Sequence, residues 1–234
     1  MLLTTLQSAQ APVERPTTVY LNDREWLTVQ TTPADLDDWA AGYLFGEGII
    51  DRLTDLSRLV VESDRGLVWA DLAPGRELDV DSRPPLHFGP VVARLRVPEE
   101  HLLRWMKEML AAAPLYQETG GIHVAMGVRA DTGERFVRED IGRHNAVDKV
   151  LGAALKADWP PGQVVVLTSG RISYEMCTRL ARFGAGLGVS RTAATDQAFR
   201  LATEVGIDLV GYARTPASLT VYTQGSQILR RVTA

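Results

Sequence analysis

The stretch that most limits the fold is Val164-Val165-Val166-Leu167, which with Gln163 makes a short, almost wholly apolar strand. A strand apolar on both faces must be covered on both faces, so helices have to layer against it. The surrounding sequence supplies them. Asn145–Leu155, Ser173–Phe183 and Asp196–Val205 carry helical spacing, while Leu187–Ser190, Asp208–Tyr212 and Ser218–Thr223 read as further short strands. Gly121–Val128 and Glu134–Val137 form strands around an Asp131-Thr132-Gly133 turn. This alternation predicts an α/β layered unit.

The first half follows a different pattern. Residues 1–15 are small and polar without a sustained period. From Thr17 to Thr31 a hairpin is expected, turning at Asn22-Asp23. A helix should then start with Thr32 as N-cap and Pro33 at its first position, place Leu36, Trp39, Ala40, Tyr43 and Leu44 on one stripe, and stop at Gly46-Glu47-Gly48. Strands follow at Leu56–Val61, Gly66–Leu72 and Glu77–Val80. Ser82-Arg83-Pro84-Pro85 breaks the pattern, and Pro98 opens a helix to about Ala113. The expected division is a tail (1–15), a small N-terminal α+β domain (16–82), an inter-domain loop (83–97) and a second domain (98–234), with the boundary between 82 and 115.

A formal net charge of −4 argues against a dedicated nucleic-acid binder, which needs a basic face. No stretch has the length and apolarity of a membrane span, and no signal-peptide pattern opens the chain, so a cytoplasmic protein is expected. The single cysteine, Cys177, excludes a multi-cysteine zinc site and an intramolecular disulfide within the chain. Cys177 falls mid-helix near Leu180 on the apolar face, where a thiol is ordinarily inert. A zinc deaminase is excluded too, because His123-Val124-Ala125 lacks the glutamate and the chain lacks the Cys-x-x-Cys pair.

Four junctions could carry chemistry. Glu118-Thr119-Gly120-Gly121-Ile122-His123 offers backbone amides to an anion or a flat ring, or is simply a glycine turn beside a core histidine. Arg138 to Lys149 crowds polar groups at a strand-to-helix junction. Asp140 could cap that helix, and Arg143 and Lys149 could bind phosphate, or the charges could be a solvated helix face. Thr168-Ser169-Gly170-Arg171-Ile172-Ser173 follows the apolar strand directly and opens a helix, where ligands of open α/β sheets gather; it is no Walker loop, lacking Gly-Lys-Ser/Thr. Gly211-Tyr212-Ala213-Arg214-Thr215-Pro216 ends another strand. Three arginine-bearing junctions in one layered unit point to a shared cleft for a flat, polar, anionic ligand.

Together these stretches resemble the FdhD family. The resemblance lies in Glu118-Thr119-Gly120-Gly121-x-His123, Asp140-x-Gly142-Arg143-His144-Asn145-Ala146-Val147-Asp148-Lys149, Ser169-Gly170-Arg171-x-Ser173-Tyr174-Glu175-Met176 and Leu209-Val210-Gly211-Tyr212-x-Arg214. Gly42-Tyr43-Leu44-Phe45-Gly46-Glu47-Gly48 adds an N-terminal match, and coverage runs from about 17 to 223. The resemblance implies a cytidine-deaminase-like α/β/α layered domain without the deaminase zinc, joined to a small N-terminal α+β domain. It implies a homodimer that binds the molybdenum bis-guanine-dinucleotide cofactor, or GDP as its mimic. Such proteins take sulfur from a cysteine desulfurase as a persulfide and pass it to the cofactor before insertion into the formate dehydrogenase apoprotein.

The expected cofactor-binding set is Thr119, Gly120, Gly121, His123, Asp140, Gly142, Arg143, His144, Asn145, Lys149, Thr168, Ser169, Gly170, Arg171 and Ser173, with the family's late cofactor span mapping onto Tyr212, Ala213, Arg214, Thr215, Pro216 and Ala217. No catalytic or metal-ligating residue is expected. One departure stands out. The family's sulfur carriers bear Cys-x-x-Cys in the loop between the domains, and the equivalent Pro84–Val92 here contains no cysteine. That favours a cofactor chaperone, or a partner of a cysteine-bearing paralogue, over sulfur transfer. The alternative is a guanine-nucleotide-binding regulatory module with no maturation role.

Overall fold

A computed structural model describes residues 11–76 and 89–229. The expected strand at 77–80, the 82–85 break and residues 84–88 of the 84–92 loop lie outside the described residues. Strand β8 (Val164–Thr168) shows why its sequence is apolar throughout. Val164 and Val166 face one core, while Val165 and Leu167 face another on the opposite side of the sheet. That sheet has six strands in the order β11-β10-β9-β8-β6-β7. The others are β6 (His123–Arg129), β7 (Arg135–Asp140), β9 (Leu187–Ser190), β10 (Asp208–Gly211) and β11 (Thr220–Val221).

Helices α4 (Arg143–Lys156), α5 (Tyr174–Phe183) and α6 (Asp196–Val205) fill the first core, and α2 (Glu99–Ala111) fills the second with Leu102, Trp105, Met106 and Met109. The first core also runs without a break into a four-stranded sheet, order β2-β1-β4-β3, formed by β1 (Arg15–Leu21), β2 (Arg24–Thr31), β3 (Leu56–Glu62) and β4 (Leu67–Leu72). Among the described residues the structure is thus a mixed α/β fold. No helix among them is long and apolar enough to cross a membrane.

The junction between the two sheets is the contact of α1 (Leu36–Gly46) with α4. A Cβ built on Gly42 would lie 1.8 Å from the Asp148 carbonyl oxygen, and one on Gly152 would lie 1.8 Å from that of Asp38. The two backbones therefore touch, and only glycine fits at either position. Ion pairs lock the crossing. Asp38 meets Arg138 at 2.7 Å and Lys156 at 2.8 Å, while Arg179 of α5 reaches both Asp148 (2.8 Å) and Glu47 (2.6 Å).

Three local expectations change. Helix α1 does not start at Thr32-Pro33; its N-cap is Asp35, in the left-handed region at φ 52°. Thr32 is held elsewhere, its N–H donating to Asp140 and its hydroxyl accepting from the Ile141 N–H. Helix α3 (Pro114–Thr119) occupies a stretch to which no element was assigned, with buried Glu139 accepting from the Leu115 and Tyr116 N–H groups at its start. Two short strands, β5 (Val97–Pro98) and β12 (Ile228–Leu229), pair in parallel where no strand was expected.

Candidate functional site

Strand direction assembles the site. β8, β9 and β10 run parallel, with Thr168 beside Ser190 and Val189 beside Val210, so their C-terminal ends coincide. β6 runs antiparallel to β8 and begins at that end with His123. β7 runs antiparallel to β6, which sets Asp140 opposite His123. One edge of the sheet therefore collects the loops after Thr119, Asp140, Thr168, Ser190 and Gly211, the place where open α/β sheets bind ligands.

Gly170 is the meeting point. A Cβ there would lie 2.9 Å from Arg143 Cβ and 3.4 Å from His123 Nδ1, so the absent side chain lets three loops close together. Ser169 turns its hydroxyl inward, accepting from the Val124 N–H at 3.0 Å and lying 3.3 Å from His123 Nδ1. Thr168 is buried, and its hydroxyl accepts from the Gly170 N–H. Ser173 caps α5 by accepting from the Met176 N–H, and lies 3.1 Å from His144 Nε2. Gly142 is the N-cap of α4, which has no side-chain cap, unlike α5 and α6.

The arginines at this edge lack acidic partners among the described residues. Arg143 opens α4 and its buried Nε has no hydrogen-bond partner among the described residues. Arg143, Arg171, Arg191 and Arg214 all sit at this edge, and none forms an ion pair among the described residues. Away from the edge, by contrast, Arg138, Arg179 and Arg182 are each matched to carboxylates. Burial holds the His144 imidazole down at about 4, with Arg143 and Arg179 adding to the effect, and burial and Arg143 push His123 in the same direction. Both rings are neutral near pH 7 and can offer a donor or an acceptor.

The late loop is strained. Tyr212, 41% exposed, stands in the left-handed region at φ 50°, unusual for a bulky side chain. Its carbonyl accepts from the Arg214 N–H and the Ser218 hydroxyl. Ala213 is buried, whereas Arg214, Thr215, Pro216 and Ala217 are exposed. Before β6, Gly120 takes φ 63° to end α3, the Thr119 hydroxyl donates to the Leu115 carbonyl, and Gly121 is exposed.

Three expected ligand groups are not at the surface of this cleft. Lys149 and Asp140 are fully buried and form an ion pair at 2.7 Å. Lys149 also donates to the Thr32 and Glu139 carbonyls, and Asp140 accepts from the N–H groups of Thr32 and Gly142 and from Asn145 Nδ2. Asn145 donates to the Gln30 carbonyl as well and accepts from Trp39 Nε1. These side chains bind the N-terminal sheet to the second one, so Lys149 is not a phosphate contact and Asp140 does not cap α4. The i, i+4 and i+5 spacing of the run shows which residues share a face but not that the N-terminal sheet covers it.

Arg191 went unnoticed in the sequence because its loop carries no glycine-rich signature; its place after a short apolar strand was the available signal. A groove of about 560 Å³ lies at the opposite end of the sheet, lined largely by Pro, Gly and Val with Arg94 and Arg182. Arg182 there is committed to the Phe45 and Ile50 carbonyls and to Asp51.

Comparison with known proteins identifies the family. Residues 12–229 match the model of the FdhD/NarQ family. The chain is 32% identical to the sulfur carrier protein FdhD of Halalkalibacterium halodurans, covering 94% of this chain and 88% of that one. It is 30% identical to the protein of the same description from Bacillus licheniformis, over 95% and 91% of the two chains. A solved structure assigned as a formate dehydrogenase accessory protein from Desulfotalea psychrophila superposes with a TM-score of 0.79 at 30% identity, covering 93% of this chain and 90% of its own. The chain belongs to the FdhD/NarQ family.

Proposed function

We propose that this chain serves formate dehydrogenase maturation by holding the bis-guanine-dinucleotide molybdenum cofactor, and that it does not itself carry sulfur. The observation behind this reading is the state of its only cysteine. Cys177 is fully buried in α5, and burial pushes its thiol up to about 12. Persulfide carriage needs an accessible thiolate, because the thiolate is the nucleophile that attacks the donor sulfur. A sealed thiol is ill suited to that role, which supports this reading.

The cleft keeps the features the cofactor needs. Its guanine-dinucleotide arms bring phosphates, and Arg143, Arg171 and Arg214 are cations without carboxylate partners among the described residues. The orphaned Arg143 Nε leaves a buried donor for a ligand oxygen, and the missing side chain at Gly170 lets Arg143 and His123 pack against that loop. His123, Ser169 and His144 would take neutral contacts. Tyr212, in the loop after β10, offers an exposed ring. The second domain is in this reading a cytidine-deaminase-like layered unit whose zinc chemistry has been lost, working as a homodimer in the cytoplasm. Sulfur would reach the cofactor from a cysteine desulfurase through a cysteine-bearing paralogue.

Titrating the purified protein with GDP and with the molybdenum cofactor tests the proposal. Tighter binding of the cofactor is expected. Equal or tighter binding of GDP would replace it with a guanine-nucleotide-binding regulatory module.

A further inference from the structure

We infer that Arg191 is a ligand-binding residue of the cleft, forming with Arg171 and Arg214 a second anion subsite beside the one at Arg143. This rests on the reading of the cleft as a site for a diphosphate-bearing nucleotide and adds a residue to it, one that would meet the second of two linked phosphates.

Arg191 follows the C-terminal end of β9, between β8 and β10 in the sheet. Its backbone is tied on both sides. The Arg191 N–H donates to the Thr168 carbonyl at 2.9 Å, and the Arg191 carbonyl accepts from Arg214 Nε at 3.0 Å. The residue is thereby fixed between the Thr168 loop and the Tyr212 loop. Its neighbour Ser190 is fully buried and donates to the Gly170 carbonyl at 2.8 Å. An unbroken series of contacts therefore runs from Arg143 through Gly170 and Ser190 to Arg191 and Arg214.

The guanidinium itself has no such ties. Arg191 is partly buried, yet its side chain makes no hydrogen bond or ion pair among the described residues. A guanidinium carries five donors, and withdrawing it partly from water without an acceptor is unfavourable. Elsewhere in this chain, partly buried arginines such as Arg129 and Arg138 are matched to carboxylates. In a chain of net charge −4, carboxylate partners are plentiful. Their absence around Arg171, Arg191 and Arg214 leaves those cations to an incoming anion, and the planar fork of Arg suits a phosphate. Arg143 stands on the other side of Gly170, so the two groups of cations would grip successive phosphates of one ligand.

The test compares GMP, GDP and inorganic pyrophosphate by calorimetry on the wild-type chain, Arg191→Gln and Arg191→Lys, with melting curves to confirm folding. Arg191→Gln should weaken GDP and pyrophosphate binding by at least about tenfold, as expected for losing a charge-assisted hydrogen bond. GMP binding should change by less than about threefold, and Arg191→Lys should recover part of the GDP affinity by restoring charge without the fork. If wild type binds GDP and Arg191→Gln binds it equally well, the Arg191 assignment is wrong and the cofactor cleft stands. Equal losses for GMP and GDP would overturn the two-phosphate geometry. If wild type binds none of the three probes, the cleft reading falls together with the role of Arg191.

Discussion

Replacing Lys149 with methionine separates a ligand contact from an internal strut. Methionine keeps nearly the same length, so little cavity forms, but it removes the charge opposite Asp140 and the donor to two carbonyls. Asp140 would keep its three N–H donors from Thr32, Gly142 and Asn145 while losing its ion-pair partner. Breaking one partner out of a buried pair costs about 3–5 kcal/mol. For a chain of this length each kcal/mol moves the melting temperature by roughly 2–4 °C, giving a fall of roughly 6–20 °C. Differential scanning calorimetry reads the shift, and GDP affinity extrapolated to the folded fraction reads the site. A melting temperature within about 2 °C of wild type, combined with lost nucleotide affinity, would refute the internal role and make Lys149 a phosphate ligand after all.

Gly152→Ala should be more disruptive than its size suggests. The new Cβ meets the Asp38 backbone oxygen at 1.8 Å, so α1 must move, at about 1–3 kcal/mol or more in an overpacked contact; urea denaturation measures it, and an unchanged midpoint would show that the helices do not touch there. His144 links stability to pH. Its folded pKa is depressed to about 4, so the neutral ring's contribution is complete above the ordinary value near 6.5 and is lost as pH falls from there towards 4. His144→Gln should flatten the melting temperature against pH across that window, and an unaltered slope would assign it to other groups. Cys177 at about 12 leaves on the order of one thiol in ten thousand ionised at pH 8, so a disulfide reagent should label it only after denaturant is added. Rapid labelling of the native protein would reopen a role for this thiol.

The layered second half was legible because its periods are clean. The β8 run predicted a strand covered on both faces, and Val164/Val166 and Val165/Leu167 divide between two cores accordingly. The loop cluster was legible for the same reason, since parallel strands bring their C-terminal ends to one end of the sheet. The roles within the Arg138–Lys149 run were not. A motif records which residues are present, and Arg143, which borders the cleft, reads like Lys149, which lies beneath Thr32. Only the packing of the N-terminal sheet separates them, and that contact spans more than a hundred positions of sequence. Thr32 was misjudged as an N-cap because its local sequence satisfies the capping pattern while its hydrogen bonds go to Asp140 and Ile141. Arg191 was missed for the opposite reason: nothing local distinguishes it, and its significance comes from the two loops on either side.

Cofactor binding and sulfur loading can be followed on one sample. The protein is incubated with a cysteine desulfurase and isotopically labelled cysteine, with and without the molybdenum cofactor, then separated from small molecules. Retained cofactor with no labelled sulfur on the native chain is the predicted result. Label on wild type that disappears in Cys177→Ala, or failure to retain the cofactor, would contradict it.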